Sequence, residues 1–255
     1  MPSDYKNCLT DNGSLIGFAS LALHMDGVIK VSEEEGNMTE AWCNLDEQLQ
    51  INTEELKTIF TGDVAFSFMD MSEKEVTIDL GEDWFEGTEL DEELLTHKVP
   101  VMKAITVLGI TDQAKVVKAF EGLGAKRNGD VYEMYSQYYV VLEDKVIWTS
   151  DIDIANKMAK DGELGPLKNG YEDMLSDNPI CGFISLDWNS WPPMVTELAE
   201  MSMGRQERKG FKTFISKFEA VVFQGTWFSN ELELKMTNTN QNALKTLLHS
   251  VDEAM

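Results

Sequence analysis

Two seven-residue segments of the chain echo each other. Residues 15–21 read LIGFASL and residues 180–186 read ICGFISL, sharing the pattern xxGFxSL. Each is followed by a helical region and then by two apolar segments that can pair as a hairpin, over 64–80 and over 220–236. A repeated order of elements restricts a fold more than any one motif, because each copy must bury an equivalent face against its neighbour. Strands and helices come in mixed runs rather than in strict alternation. The expectation is therefore an α+β fold with antiparallel or mixed β-sheets, helices packed on one face, and duplicated α+β units.

Local patterns fill in this frame. Leu15 to Met25 is short and apolar and opens after Asp11-Asn12-Gly13, which reads as a largely buried strand. Residues 39–50 place Ala41, Trp42, Leu45 and Leu49 on one helical face, and a short helix follows over 53–60. Val64, Phe66 and Phe68 then alternate with Ala65, Ser67 and Met69, as in a strand, and residues 74–80 supply its antiparallel neighbour. From Pro100 the expected order is β-α-β-β-β-α. The first strand is 102–108 and the first helix is capped by Thr111. Three strands lie at 131–135, 138–142 and 146–149, and a helix opens at Ser150 with Asp153. In 231–236 Leu232, Leu234 and Met236 alternate with Glu231, Glu233 and Lys235, the pattern of a sheet buried on one side. A last helix carries Leu244, Leu247, Leu248 and Val251 on one stripe. The expected units are an acidic one over 1–98, a central one over 99–177 and a C-terminal one over 178–255, packed as one body.

Charge excludes whole classes of partner. The 255 residues carry a net charge of −24 and are 43% hydrophobic, enough for a substantial core. Residues 1–98 hold 23 acidic and 5 basic side chains, against 22 and 16 in the remainder. Phosphate backbones and anionic membranes need clustered Lys and Arg. The longest basic patch, Arg205 to Lys212, reads as a solvated helix end or loop. Nucleic acid is thus excluded as a partner. No apolar run approaches the roughly 20 residues that span a bilayer, so no transmembrane segment is expected. The N-terminal MPSDYKNCLTDNG lacks the apolar core of a signal peptide, and Cys8 does not stand in a lipid-attachment context. The chain reads as a mature or truncated soluble one. Cys8, Cys43 and Cys181 show neither a CxxC pair nor metal spacing, and the last two read as small buried hydrophobes.

Reactive motifs are missing. His24, His97 and His249 lie far apart, and GxSxG, SxxK, GxGxxG and P-loop patterns are absent. No catalytic residue and no cofactor is expected. In the acidic stretch Asp79, Glu82, Asp83 and Glu86 offer the hard oxygen ligands that calcium prefers, without the spacing of an EF-hand. A solvated acidic loop is the simpler reading. With 45 acidic residues, carboxylate pairs for a hydrolase carry little information. Aromatic residues at loop tips often mark binding, which singles out Trp84 and Phe85, and Trp188 and Trp191 at the end of a strand.

Three segments carry a resemblance: INTEELKTIFTGDVAFSF at 51–68, YYVVLEDKVIWTSD at 138–151 and NALKTLLHSVDEAM at 242–255. Together they resemble a family of Bacteroidetes cell-envelope lipoproteins, domain of unknown function family 4836, over most of residues 50–255. The motifs are structural rather than catalytic. The resemblance implies that the chain is the C-terminal portion, or a short member, of an exported and membrane-anchored protein. It implies a periplasmic or outer-membrane-anchored location and supplies no active-site residues. The expected function is a non-enzymatic envelope protein that binds a protein or glycan partner. The alternatives are a carboxylate-based hydrolase and a calcium-dependent binding module.

Overall fold

The structure is a computed structural model. It describes residues 5–10, 15–27, 30, 58–77, 96–167, 171–226, 228–237 and 245. The helices expected over 39–50 and 242–251, most of that over 53–60, and the acidic stretch with its calcium candidates lie outside these residues.

Among the described residues ten strands form one sheet in which every pairing is antiparallel. In chain order they are β1 (Gly17–Ala22), β2 (Phe60–Thr77), β3 (Thr96–Ile110), β4 (Lys126–Asn128), β5 (Val131–Met134), β6 (Gln137–Val141), β7 (Lys145–Thr149), β8 (Ile180–Ser185), β9 (Phe218–Gly225) and β10 (Asn230–Met236). The helices are α1 (Gln113–Gly122), α2 (Ile152–Asp161), α3 (Tyr171–Asp177), α4 (Pro193–Met201) and α5 (Arg205–Ile215). Across the sheet the order is β10-β9-β8-β1-β2-β3-β7-β6-β5-β4. The chain is α+β, and the central segment has one strand, β4, beyond the expected order.

The two echoed segments lie side by side. β1 pairs with β8 so that Phe18 faces Phe183, Gly17 faces Ile184 and Ala19 faces Gly182. The shared glycines have a steric reason. A Cβ on Gly17 would stand 2.7 Å from the Phe183 carbonyl oxygen, and one on Gly182 would stand 2.4 Å from that of Phe18. Each glycine makes room for the backbone of the other segment's phenylalanine. Phe18 and Phe183 meet edge to face at 5.3 Å between centroids, and Tyr171 of α3 stacks on Phe183 at 4.3 Å.

The main core lies on one face of the sheet. Ile105, Val107, Val140 and Ile147 pack there against Ile154, Ala155 and Met158 of α2, Leu175 of α3, and Cys8 and Leu9 of the N-terminal segment. In β2 the residues on this face are Ala65, Ser67 and Met69, all buried, while Phe66 on the other face is exposed. The expectation that helices gather on one face does not hold for α1. Its Val116 and Phe120 pack with Tyr132, Val141 and Val146 on the opposite face, because β5 to β7 carry apolar residues in both phases of their alternation. The caps also differ by one residue from expectation. Asp112 accepts from the Lys115 N–H at 3.0 Å, while the Thr111 hydroxyl donates to the Ile59 carbonyl at 3.2 Å. Asp151, rather than Ser150, caps α2 through the Asp153 and Ile154 N–H groups at 2.9 and 3.2 Å.

Candidate functional site

β3 outruns β7. Their pairing covers Ile105 to Gly109, and β7 ends at Thr149 opposite Ile105. Beyond that point β3 continues with β2 alone, Lys103 opposite Asp70 and Val101 opposite Ser72, as a two-stranded ribbon. A fork opens where the ribbon leaves the sheet, and a cleft lies on either side of β3. One, of about 310 Å³, is lined by Phe66, Val101, Met102, Ala104, Thr106 and Trp148. The other, of about 410 Å³, is lined by Asp70, Lys103, Tyr138 and Asp151. Val101, Met102 and Ser150 belong to both.

The two clefts differ in chemistry. The first is an apolar surface left open: Phe66, Met102 and Trp148 keep 38%, 48% and 42% of their surfaces exposed. Trp148 is held in place, since its ring stacks on Tyr139 at 6.4 Å with 10° between the planes and its indole N–H donates to Gln137 Oε1 at 3.1 Å. Burial raises the Tyr139 phenol above its ordinary range. The second cleft is charged, with Lys103 Nζ 3.2 Å from the Asp151 carboxylate. The Ser150 hydroxyl donates to the Met102 carbonyl and ties the end of β7 to the ribbon.

Trp188 and Trp191 sit in a 3₁₀ turn after β8, at the other end of the residues singled out by sequence. Their rings are 5.2 Å apart, and Trp188 also meets Phe211 of α5 at 5.7 Å and lies under Lys212 Nζ at 5.3 Å. The Trp191 indole donates to the Ser185 carbonyl at 3.0 Å. This cluster fastens α5 to the end of β8, and a binding role for it would have to use the edges these contacts leave open. Trp84 and Phe85 lie outside the described residues, as do Asp79, Glu82, Asp83 and Glu86. Of the basic patch, Lys212 pairs with Glu200 of α4, and Arg208 Nη1 stands 3.7 Å from the same carboxylate. The Lys212 hydrogen bond holds Glu200 below the usual carboxylate range.

No family model, no curated protein and no solved structure matches the chain.

Two cysteines lie among the described residues. The thiols of Cys8 and Cys181 are buried, and burial pushes them up to about 11 and about 12, so neither is a thiolate at neutral pH. Among the described residues no three His, Cys, Asp or Glu side chains converge as a metal site, and no helix is long and apolar enough to cross a membrane. The fork was not singled out from the sequence. A signal exists: β2 reads apolar in both phases, at Val64 and Phe66 as well as at Ala65 and Met69. A strand apolar on both sides either is covered twice or presents a surface.

Proposed function

We propose that the chain is a non-enzymatic binding protein of the bacterial cell envelope, and that its fork receives an apolar segment of a partner protein flanked by basic residues. The observation that carries this reading is the open apolar patch of Phe66, Met102 and Trp148 beside a cleft whose two carboxylates, Asp70 and Asp151, outnumber its one lysine, Lys103. An apolar surface rimmed by polar groups suits a protein side chain, and a chain of net charge −24 favours a basic partner. The stacked Trp148 and Tyr139 support a glycan as second reading. One face of the tryptophan and its N–H are already occupied, which favours the protein. The envelope location rests on the family resemblance. A duplicated architecture is part of the proposal too, supported by the symmetric register of the echoed segments about Phe18 and Phe183.

The test is photo-crosslinking in a bacterial periplasm. Benzoylphenylalanine is placed at Met102, and in a control chain at Lys118 on α1. A discrete peptide adduct at 102, absent at 118 and lost with Trp148→Ala, is expected. A carbohydrate adduct would move the reading to a glycan. Identical adducts at both positions, or none at 102, would overturn the site.

A further inference from the structure

β10 closes one side of the sheet and has no strand beyond it among the described residues. The phase of its backbone follows from the hydrogen bonds at its two ends. Thr226 N–H donates to the Ser229 carbonyl at the turn, and Thr237 N–H donates to the Lys217 carbonyl at the far end. In an antiparallel ladder inward and outward residues alternate. Glu231, Glu233 and Thr237 therefore turn their backbone groups toward β9, and Leu232, Leu234 and Met236 turn theirs outward. The side chains follow the same alternation. Leu232 is 73% exposed, so the row expected to be buried is open at its start. On the opposite face Lys235 is held over the Tyr171 ring at 5.1 Å.

An open edge of this kind invites another strand, and the sequence restricts which. A second β10 running antiparallel can form ladder bonds only if outward residues oppose outward residues. Three central registers satisfy this. Centring on Leu232 sets Glu231 against Glu233 twice. Centring on Glu233 sets Glu231 against Lys235 twice but Glu233 against itself. Centring on Leu234 sets Glu233 against Lys235 twice, Leu234 against Leu234 and Leu232 against Met236, with no like charges opposed. Opposite charges and apolar pairs directly across a ladder are stabilising, and like charges are not.

We propose that β10 is a homodimerisation edge, at which a second copy of this chain adds its own β10 antiparallel about a two-fold axis through Leu234. The ladder then continues from one copy to the other, with Leu232, Leu234 and Met236 of both copies forming one apolar row. Charge complementarity at Glu233 and Lys235 fixes the register. This edge is distinct from the fork, and either could fail without the other.

The experiment is sedimentation velocity on the full chain at about 0.1 mM and about 0.15 M salt, where the screening length is ~8 Å. The expected species is a dimer. Glu233→Lys or Lys235→Glu alone sets like charges against each other and weakens the dimer on the order of tenfold or more. Mixing the two variants restores every opposed pair and recovers the dimer as a heterodimer. Leu234→Pro removes an outward N–H that no bond among the described residues uses, so the fold persists by circular dichroism while the dimer is lost. A monomer at this concentration would overturn the proposal. So would a dimer indifferent to Leu234→Pro, or single charge variants that dimerise as well alone as mixed.

Discussion

Gly182→Ala tests the central pairing most directly. The added Cβ would stand 2.4 Å from the Phe18 carbonyl oxygen and 2.4 Å from Cζ of Phe223. A comfortable contact needs roughly another 1 Å, and one of the two obstacles is backbone in the middle of the sheet, which moves only with its strand. Overpacking of this kind costs about 1–3 kcal/mol. Removing a glycine from a strand returns about 0.5–1 kcal/mol through the unfolded chain. The net loss is about 1 kcal/mol, which at this size lowers Tm by roughly 2–4 °C. Gly122→Ala is the matched contrast: it sits in α1 with nothing within 4 Å of the new methyl, and should gain about 0.5–1 kcal/mol. Urea and thermal unfolding followed by circular dichroism read both. A Gly182→Ala protein as stable as the parent would refute the close approach of β1 and β8 at this glycine.

The Ser67 side chain is fully buried, and its hydroxyl has no hydrogen-bond partner among the described residues. Ser67→Ala should therefore stabilise by about 1 kcal/mol, raising Tm by roughly 2–4 °C; a lower Tm would mean that the hydroxyl has a partner. Cys8 and Cys181 should resist a thiol reagent at pH 8 in the native protein and react fully in denaturant. Their folded pKa values of about 11 and about 12 lie above the ordinary 9.0. The folded state thus holds its protons more tightly. This contribution to stability is complete below pH 9 and is lost as pH rises toward the folded values. In alkaline urea titrations a Cys8→Ala, Cys181→Ala double variant should lose less stability over this window than the parent.

Much of the sheet was legible from short-range signals. The alternation in 231–236 and the turns between 131 and 149 gave strands where β5, β6, β7 and β10 stand, and the echo at 15–21 and 180–186 anticipated two segments with a common role. What escaped depends on neighbours distant in sequence. The inward face of β2 carries Ala65 and Met69 in a core shared with α2, α3 and the N-terminal segment, and no local pattern states which elements meet there. Capping slipped by one residue because Thr111 spends its hydroxyl on Ile59, far back in the chain. The fork arises from a mismatch in length between β3 and β7, visible only once their register is set.

The place of β1 between β2 and β8 has a bearing on biosynthesis. The strand is finished at Ala22, yet one of its flanks is not supplied until Ile180. At about 5–20 residues per second, a ribosome needs on the order of ten to thirty seconds to make the intervening chain. Throughout that interval the flank of β1 that will meet β8 has no native partner and is open to pairing with a wrong strand.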